Sequence, residues 1–180
     1  DISEDAIENC KKRGLKNCFV MDAKTIDLHQ QFDIIIASDC LEHIEDDVSA
    51  IKHWETLLKP NGTIYIFVPA FKSLWSVHDD ANMHHRRYTR KELVSKVTAN
   101  GLDISSSGYW NVLLFLPIWI YRKLFSIRSK NNQPELGDLN RIPPFNGFFT
   151  GLLNTENRLQ RYVRFPFGVS TYCIAKKTNK

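Results

Sequence analysis

The chain has 180 residues, of which 43% are hydrophobic and 24% are charged, and its formal net charge is +4. These proportions are ordinary for a globular domain with a sizeable core, and they exclude a low-complexity or disordered chain. The charge is uneven, because residues 1–110 carry 13 Lys and Arg against 17 Asp and Glu, while residues 111–180 carry 11 against 3. A basic second half is typical either of a solvated face or of attraction to an anionic surface or substrate.

The first 110 residues alternate between helical and strand patterns. Ser3 is a suitable N-cap for the first helix, Thr89 and Glu92 form a capping-box pattern, and the turn residues 60–62 precede a strand. Strands that alternate with helices indicate a parallel sheet with right-handed crossovers. In chain order we predict a helix over 3–13, strands over 17–21 and 32–37, a helix over 47–58, a strand over 63–68, a loop over 69–88, a helix over 89–99 and a strand over 102–109.

The apolar run over residues 34–37 ends abruptly at Ser38 and Asp39. An unbroken run of this kind is typical of a strand that is buried on both faces of a parallel sheet. In an open α/β sheet, ligands bind beyond the carboxyl ends of the strands. The polar groups that follow residue 37 are therefore candidates for a functional site.

Residues 111–168 break this alternation. Residues 112–125 are apolar and contain Pro117, residues 129–144 have a loop composition, and residues 145–162 have a helical pattern. A last strand is predicted over 169–175. We therefore divide the chain into a core at 1–110, a mostly helical insert at 111–168 and a terminal core strand at 169–180.

The apolar stretch 112–125 is too short to span a membrane, which takes about 20 residues. We favour a lid over a substrate pocket or a homodimer contact, and the alternative is peripheral contact of residues 112–130 with a membrane surface. The four cysteines have no paired spacing, which favours reduced thiols in a cytoplasmic protein, with the inner face of the membrane as the alternative location. The basic residues are spread out and no aromatic ladder accompanies them, so we expect no nucleic-acid partner.

Four segments together resemble the class I S-adenosylmethionine-dependent methyltransferases: 1–3, 22–23, 32–44 with its Leu-Glu-His-Ile ending, and Leu57–Gly62. The further string His84–Thr89 is similar to a bacterial subgroup. The resemblance implies an α/β fold, the Rossmann-like three-layer α/β/α sandwich. Its sheet would be mostly parallel with an antiparallel last strand, and its cofactor would be S-adenosylmethionine.

The resemblance also implies cofactor-binding residues. Asp1 would accept hydrogen bonds from the ribose hydroxyls, and Asp22 from the adenine amino group. The remaining positions would line the pocket: Ile2 against the adenine, Ala23 beside it, and Ser38 and Leu41 along the methionine part. The alternative for Asp1 and Asp22 is ordinary capping of a helix or turn.

One departure from the family concerns its glycine-rich loop, which follows the first strand. The eight glycines of this chain never approach the GxGxxG spacing. We therefore expect the chain to lack the first strand–helix–strand unit, and to be an incomplete piece of an enzyme.

Transfer of a methyl group to a hydroxyl or amine needs a group that takes up a proton near neutral pH, which favours histidine. We identify His43 and His84 as the candidate catalytic residues. The alternative is that each simply orients its loop. The candidate substrate-binding residues are His78, Asp79, Arg86, Arg87 and Tyr88, and the alternative for the arginines is an ion pair with Asp79 or Asp80.

The segment Asp39, Glu42, His43 resembles a metal-associated segment of ubiquinone-biosynthesis O-methyltransferases. Two carboxylates and an imidazole could hold a divalent cation. The first carboxylate of this chain is one methylene shorter than the glutamate of that segment, and we expect no metal.

We interpret the chain as part of an enzyme that methylates a small-molecule, saccharide or lipid-linked acceptor, with O-methylation slightly favoured. One alternative is a non-catalytic, methyltransferase-like partner module. The other is a nicotinamide-dependent oxidoreductase, because Asp1 would suit that ribose equally well.

Overall fold

The computed structural model describes residues 1–126, 146–160 and 162–178. For residues 121–126 it describes the backbone and, among the side chains, only that of Arg122. The described strands are β1 (Phe32–Ser38), β2 (Leu58–Pro69), β3 (Leu102–Trp110) and β4 (Ser170–Lys177). The described helices are α1 (Glu4–Lys12), α2 (Asp47–Thr56), α3 (Val77–Ala81), α4 (Arg90–Ala99), α5 (Phe115–Ser126) and α6 (Asn146–Leu159). Short 3₁₀ turns lie at Leu41–His43 and Lys72–Leu74.

The four described strands form one sheet in the order β1-β2-β4-β3. β1 and β2 are parallel, with Ile35 opposite Ile64, and β4 is antiparallel to both β2 and β3. Three strands therefore run in one direction and the last runs against them. This arrangement confirms the expected fold class, a mostly parallel α/β sheet with an antiparallel last strand.

Helices α2 and α4 pack on one face of the sheet, where most of the core lies. Alternate residues of β2 point to this face, so that Ile64, Ile66 and Val68 are fully buried. Trp54 of α2 and Val97 of α4 belong to the same cluster. The predicted capping box of α4 is present, because the Thr89 hydroxyl accepts from the Glu92 amide and the Glu92 carboxylate accepts from the Thr89 amide. This well-defined layer supports the carboxyl ends of β1 and β2.

The opposite face of β1 differs from the prediction. Ile34 is 56% exposed and Ile36 is 68% exposed, whereas Ala37 is buried. In residues 1–126, 146–160 and 162–178, no helix covers these two isoleucines. The apolar run indicated the strand correctly, but burial on both faces was wrong.

The strand predicted over 17–21 does not form in the described structure. Its backbone makes two hydrogen bonds with Asp1: the Met21 amide donates to the Asp1 carbonyl, and the Asp1 amino group donates to the Phe19 carbonyl. Phe19 and Val20 are about half exposed. The segment is extended beside Asp1, but a single neighbouring residue does not make a ladder.

The predicted loop over 69–88 is folded rather than open. It contains the 3₁₀ turn at 72–74 and α3, and its two ends meet where the Phe71 amide donates to the Tyr88 carbonyl at 3.0 Å. The Tyr88 amide donates in turn to the Pro69 carbonyl, also at 3.0 Å. This closure fixes residues 71–87, hereafter the site loop, directly above the end of β2.

The described part of the insert contains the two helices α5 and α6. Pro117 is the third residue of α5, where its missing N–H costs no helical hydrogen bond. The fully buried Glu156 of α6 accepts hydrogen bonds from the Val112 and Leu113 amides just before α5. Residues 127–145 lie outside the described residues, so the loop expected at 129–144 and the division at 111–168 stay predictions. None of the described helices combines the length and apolar character that a membrane crossing requires.

Candidate active site

A cavity of about 340 Å³ lies at the carboxyl ends of β1 and β2, between the 3₁₀ turn at Leu41–His43 and the site loop. This is where an open α/β sheet presents its ligand site. The polar residues that line it include Asp39, Glu42, His43, His78, His84 and Arg87. A larger groove of about 680 Å³ lies at the other end of β1, beside residues 28–31 and 56–60, and has no comparable cluster of titratable groups.

The two predicted catalytic residues are neighbours in this cavity. The rings of His43 and His84 meet edge to face with their centroids 4.7 Å apart. The contact is fixed by the backbone, because the His85 amide donates to the Glu42 carbonyl at 2.8 Å and thereby joins the site loop to the turn after β1. Two segments that are 41 residues apart therefore present a pair of imidazoles to one space.

Asp79 holds the site loop together from inside. It is fully buried, and its Oδ1 accepts from Arg87 Nε at 2.7 Å and lies 2.9 Å from His84 Nδ1. Its Oδ2 accepts from the Ser76 amide at 2.9 Å. Burial opposes ionisation, yet the hydrogen bond and charge of Arg87 outweigh it and hold the pKa of Asp79 below its usual value. An ionised Asp79 orients His84 so that Nε2 is the ring nitrogen left for other partners.

Glu42 is the least expected feature of the cavity. It is fully buried, and neither carboxylate oxygen has a hydrogen-bond partner. Burial raises the pKa of Glu42 to about 7, and the nearby Asp39 and Asp79 charges act in the same direction. Burial also lowers the pKa of His43, as does the neighbouring His84. Burial in the cavity therefore disfavours the charged form of both groups.

The backbone around the cavity is unusual. Three non-glycine residues have left-handed conformations there, with φ of 47° at Asp39, 54° at Phe71 and 55° at Met83. For a bulky residue such as Phe71 this region is rarely populated, and such strain often accompanies functional sites. At Asp39 the conformation turns the chain sharply out of β1, and the Asp39 amide donates to the Phe67 carbonyl at 3.0 Å.

Several predicted cofactor-binding residues lie near one another at the edge of β1. The exposed residues are Asp1, Ile2, Asp22 and Ser38, and Ile2 is 73% exposed. Burial raises the pKa of the Cys40 thiol, with Glu42 and Asp22 adding to this effect and the N-terminal ammonium of Asp1 opposing it. Because the charges of Asp1 and Asp22 both affect the Cys40 thiol, the two ends of the segment 1–22 lie beside the turn that follows β1.

The capping alternatives for the two aspartates are also present in the structure. Asp1 Oδ1 accepts from the Ser3 amide at 2.9 Å, and Asp22 Oδ1 accepts from the Lys24 amide at 2.8 Å. The Ala23 carbonyl accepts from Trp54 Nε1, which anchors this turn to α2. Leu41 is 0% exposed and belongs to the core cluster, so its side chain packs inward. The placement of Leu41 along the methionine part of a cofactor stays a prediction.

Four of the five predicted substrate-binding residues have their polar groups engaged within the protein. Arg87 forms an ion pair with Asp79, which is the alternative considered for the arginines. Arg87 also donates to the Ala70 carbonyl. Arg86 Nη1 lies 3.1 Å from the Asp47 carboxylate, and the Tyr88 hydroxyl donates to the same carboxylate at 2.8 Å. Asp79 and Tyr88 are buried, which favours a positioning role, and their assignment to a substrate stays a prediction. His78 remains exposed at the cavity edge.

The sequence pattern pointed to this site but missed two roles within it. Asp79 was assigned to the substrate, and Glu42 was considered only within a metal-associated segment. Local spacing carries no signal for the burial of Glu42, because His43 lies in the same turn between Leu41 and Ile44 and is exposed.

Comparisons with known proteins bear on the fold. Residues 1–66 match the family described as "Methyltransferase domain". A methyltransferase from Thermotoga maritima superposes with a TM-score of 0.59 at 16% identity, over 99% of this chain and 72% of that one. A second methyltransferase, from Archaeoglobus fulgidus, superposes with a TM-score of 0.56 at 18% identity, over 98% of this chain and 74% of that one. The fold is that of the class I S-adenosylmethionine-dependent methyltransferases. No curated protein matches the sequence.

A similar fold also occurs in a protein described by another reaction. The [4+2]-cyclase SpnF superposes with a TM-score of 0.54 at 16% identity, and this chain spans 62% of its length. The methyltransferase fold therefore does not by itself establish the reaction, which must be argued from the site.

The rim beside β1 fits the cofactor of this fold. An adenosyl group offers an apolar ring face and hydrogen-bond donors on its ribose and amino group. The exposed side chain of Ile2 provides apolar surface, and the exposed carboxylates of Asp1 and Asp22 provide acceptors. The methyltransferase cofactor would therefore be held by residues next to the imidazole-lined cavity.

Proposed function

We propose that this chain forms the acceptor side and part of the cofactor side of an S-adenosylmethionine-dependent methyltransferase. The acceptor would be a small molecule, a saccharide or a lipid-linked intermediate, with a hydroxyl as the favoured methyl acceptor. The observation that carries the proposal is the placement of two imidazoles in one cavity, beside an exposed rim of carboxylates and an apolar side chain.

The assignment of roles follows from this placement. Bound S-adenosylmethionine would supply a sulfonium methyl group, which would pass in line to the acceptor oxygen as the acceptor loses its proton and S-adenosylhomocysteine leaves. His43 and His84 promote the loss of that proton, and Asp79 fixes the orientation of His84. Asp1, Ile2, Asp22, Ala23 and Ser38 hold the adenosyl and methionine parts. His78 is the exposed imidazole available to contact the acceptor.

The insert supports a lid in this proposal. Arg122 of α5 donates to the Leu74 carbonyl in the site loop, and its Nη1 lies 3.7 Å from Asp79 Oδ2. One face of the insert therefore touches the segment that carries His84. Membrane contact through 112–130 and homodimerisation stay predictions, and residues 127–130 lie outside the described residues.

Binding of S-adenosylhomocysteine, measured by isothermal titration calorimetry on the intact protein, tests the cofactor side. We expect Asp22→Ala to weaken binding by about 10- to 100-fold, because a hydrogen bond to a charged group contributes about 1.5–3 kcal/mol. Asp103→Ala, which removes an exposed carboxylate of β3, serves as the matched control and should bind normally. Equal affinities of Asp22→Ala and the wild type would contradict the assignment of Asp22.

A further inference from the structure

Three side chains that commonly bind metals meet at the cavity wall. Glu42, His43 and His84 each offer one ligand atom, and these three atoms all lie within 4.8 Å of one another. The grouping differs from the Asp39–Glu42–His43 segment that the sequence suggested, because His84 from the site loop takes the place of Asp39. Two imidazoles and one carboxylate are a common donor set for catalytic zinc and for non-haem iron.

The Glu42 carboxylate needs a partner that the protein does not supply. Buried polar atoms in folded proteins nearly always make a hydrogen bond. Across residues 1–126, 146–160 and 162–178, the two Glu42 oxygens are the only buried side-chain N or O atoms without one. Because Glu42 lines the cavity, the missing partner can be a bound species within that space.

We propose that Glu42, His43 and His84 bind a divalent transition-metal cation at the acceptor end of the cavity. This inference rests on the proposed function, because the two imidazoles would promote loss of the acceptor's proton by binding a metal ion. Imidazole donors favour Zn²⁺, Co²⁺, Mn²⁺ or Fe²⁺ over Mg²⁺ and Ca²⁺, which prefer oxygen ligands.

The residues behind the ligands have the arrangement that metal-binding histidines usually show. Such a histidine normally directs its other ring nitrogen to a carboxylate or a backbone carbonyl, which fixes the ring and its tautomer. The Nδ1 of His84 is 2.9 Å from the buried Asp79 carboxylate, and His43 interacts with the backbone of Asn82. The free nitrogen of His84 is thereby directed to the side of the ring away from Asp79.

The charges around the cluster suit a cation. Glu42 contributes one carboxylate, and Asp39 lies close enough for its charge to raise the pKa of Glu42. The positive charge of Arg87 is paired with Asp79. Ligand atoms around a tetrahedral zinc lie roughly 3.3 Å apart, given metal–ligand distances of about 2.0–2.1 Å. His43 is the exposed member of the three and can move inward by the required ångström or so.

Three protein ligands leave a coordination position for the acceptor. A hydroxyl oxygen bound there would have a lowered pKa and would release its proton to water; the oxygen would then bond to the methyl carbon as the carbon–sulfur bond of S-adenosylmethionine breaks and S-adenosylhomocysteine leaves. No electron is gained or lost by the metal in this step. In this scheme the imidazoles are metal ligands, and the metal ion is the partner that the buried Glu42 carboxylate otherwise lacks.

Cobalt binding to the intact protein, stripped of metal by chelation and dialysis, tests the proposal without any methyl acceptor. We expect one equivalent of Co²⁺ to bind with the visible absorption of a nitrogen- and oxygen-ligated site, and Zn²⁺ to displace it. Glu42→Gln preserves the shape of the side chain, and we expect it to weaken binding by at least about tenfold. His85→Ala, which removes a neighbouring exposed imidazole outside the cluster, should bind normally.

Thermal unfolding gives a second readout. Because a ligand that binds only the folded state raises its stability, Zn²⁺ should raise the Tm of the wild type and of His85→Ala by more than that of Glu42→Gln. If Glu42→Gln does not fold, His43→Ala provides the same comparison at an exposed position. Absence of stoichiometric Co²⁺ binding, or equal binding by the wild type and the folded ligand variant, would overturn the metal site.

The outcome can be separated from that of the proposed function. S-adenosylhomocysteine binding is measured on the same metal-free and metal-loaded samples. Cofactor binding without metal binding would overturn the cation site alone and leave an imidazole as the direct base. Metal binding without any cofactor binding would support the cation site and count against the methyltransferase assignment.

Discussion

Replacing His84 with alanine is expected to lower the rate of methyl transfer by about 10²–10⁴, the usual contribution of a positioned group that handles a proton. His84 is the imidazole that two independent constraints hold in place: its Nδ1 lies against the buried Asp79 carboxylate, and the next amide is bonded to the Glu42 carbonyl. Among the imidazoles that line the described cavity, His84 is the one whose ring is held by a carboxylate. Its removal also takes away a ligand of the proposed cation.

The measurement is the initial rate of tritium transfer from [methyl-³H]-S-adenosylmethionine to the small-molecule fraction of an extract of the source cells. Separate aqueous and organic extractions distinguish a saccharide from a lipid-linked acceptor. His85→Ala is the matched control and should remain within a few-fold of the wild type, because its side chain is exposed beside the site loop. A His84→Ala rate close to that of His85→Ala would remove His84 from the mechanism.

Asp79→Asn separates positioning from direct participation. The amide keeps the size of the side chain but removes the charge that orients His84, and we expect a loss of about 10- to 100-fold in kcat. Because Asp79 is buried away from the acceptor, the KM for the acceptor should change little. A change in KM alone would argue that Asp79 contributes to substrate binding, as the sequence suggested.

Replacing Asp47 with alanine is expected to destabilise the protein by about 1–3 kcal/mol, because it leaves the buried Tyr88 hydroxyl without its acceptor and the partly exposed Arg86 and Lys96 without their counterion. Asp47 is only 2% exposed, and it joins three elements. Its Oδ1 accepts from Lys96 of α4 at 2.8 Å, while its Oδ2 accepts from the Tyr88 hydroxyl at 2.8 Å and lies 3.1 Å from Arg86. The variant therefore loosens the join between α2, α4 and the site loop.

Chemical denaturation at pH 7 measures this effect. Asp33→Ala is the control, because the Asp33–Lys59 pair is exposed and such pairs contribute little. Burial of Asp47 opposes ionisation, but the hydrogen bonds from Lys96 and Tyr88 outweigh it, so the pKa of Asp47 lies below its ordinary value of 3.8. The contribution of Asp47 is therefore complete above that value and is lost as the pH falls through its lower, folded-state pKa. Equal stability of Asp47→Ala and Asp33→Ala at pH 7 would contradict this role.

Local patterns were sufficient to predict most of the scaffold. The capping residues Ser3 and Thr89 mark the helix starts, and the apolar runs mark β1 and β2. The prediction failed where an element depends on neighbours that are distant in the chain. Residues 17–21 have a strand composition, but in the described structure they have no adjacent strand to pair with. Ile34 and Ile36 are apolar, but no described helix covers their side chains.

The candidate site shows the same limit. The placement of polar residues after β1 and β2 predicts where the site lies, and it brought His43 and His84 to attention. Which arginine pairs with which carboxylate depends on how the site loop folds back, and this is not encoded in spacing. For that reason Arg87 and Tyr88 were assigned to the substrate, although the structure commits them to Asp79 and Asp47.

A crystal structure of the intact protein with S-adenosylhomocysteine would test the central claim most directly. The account predicts that the adenosyl group lies against Ile2, between Asp1 and Asp22, and that its sulfur points past Ser38 toward His43 and His84. An adenosyl group seated elsewhere, for example in the groove beside residues 28–31 and 56–60, would contradict the account.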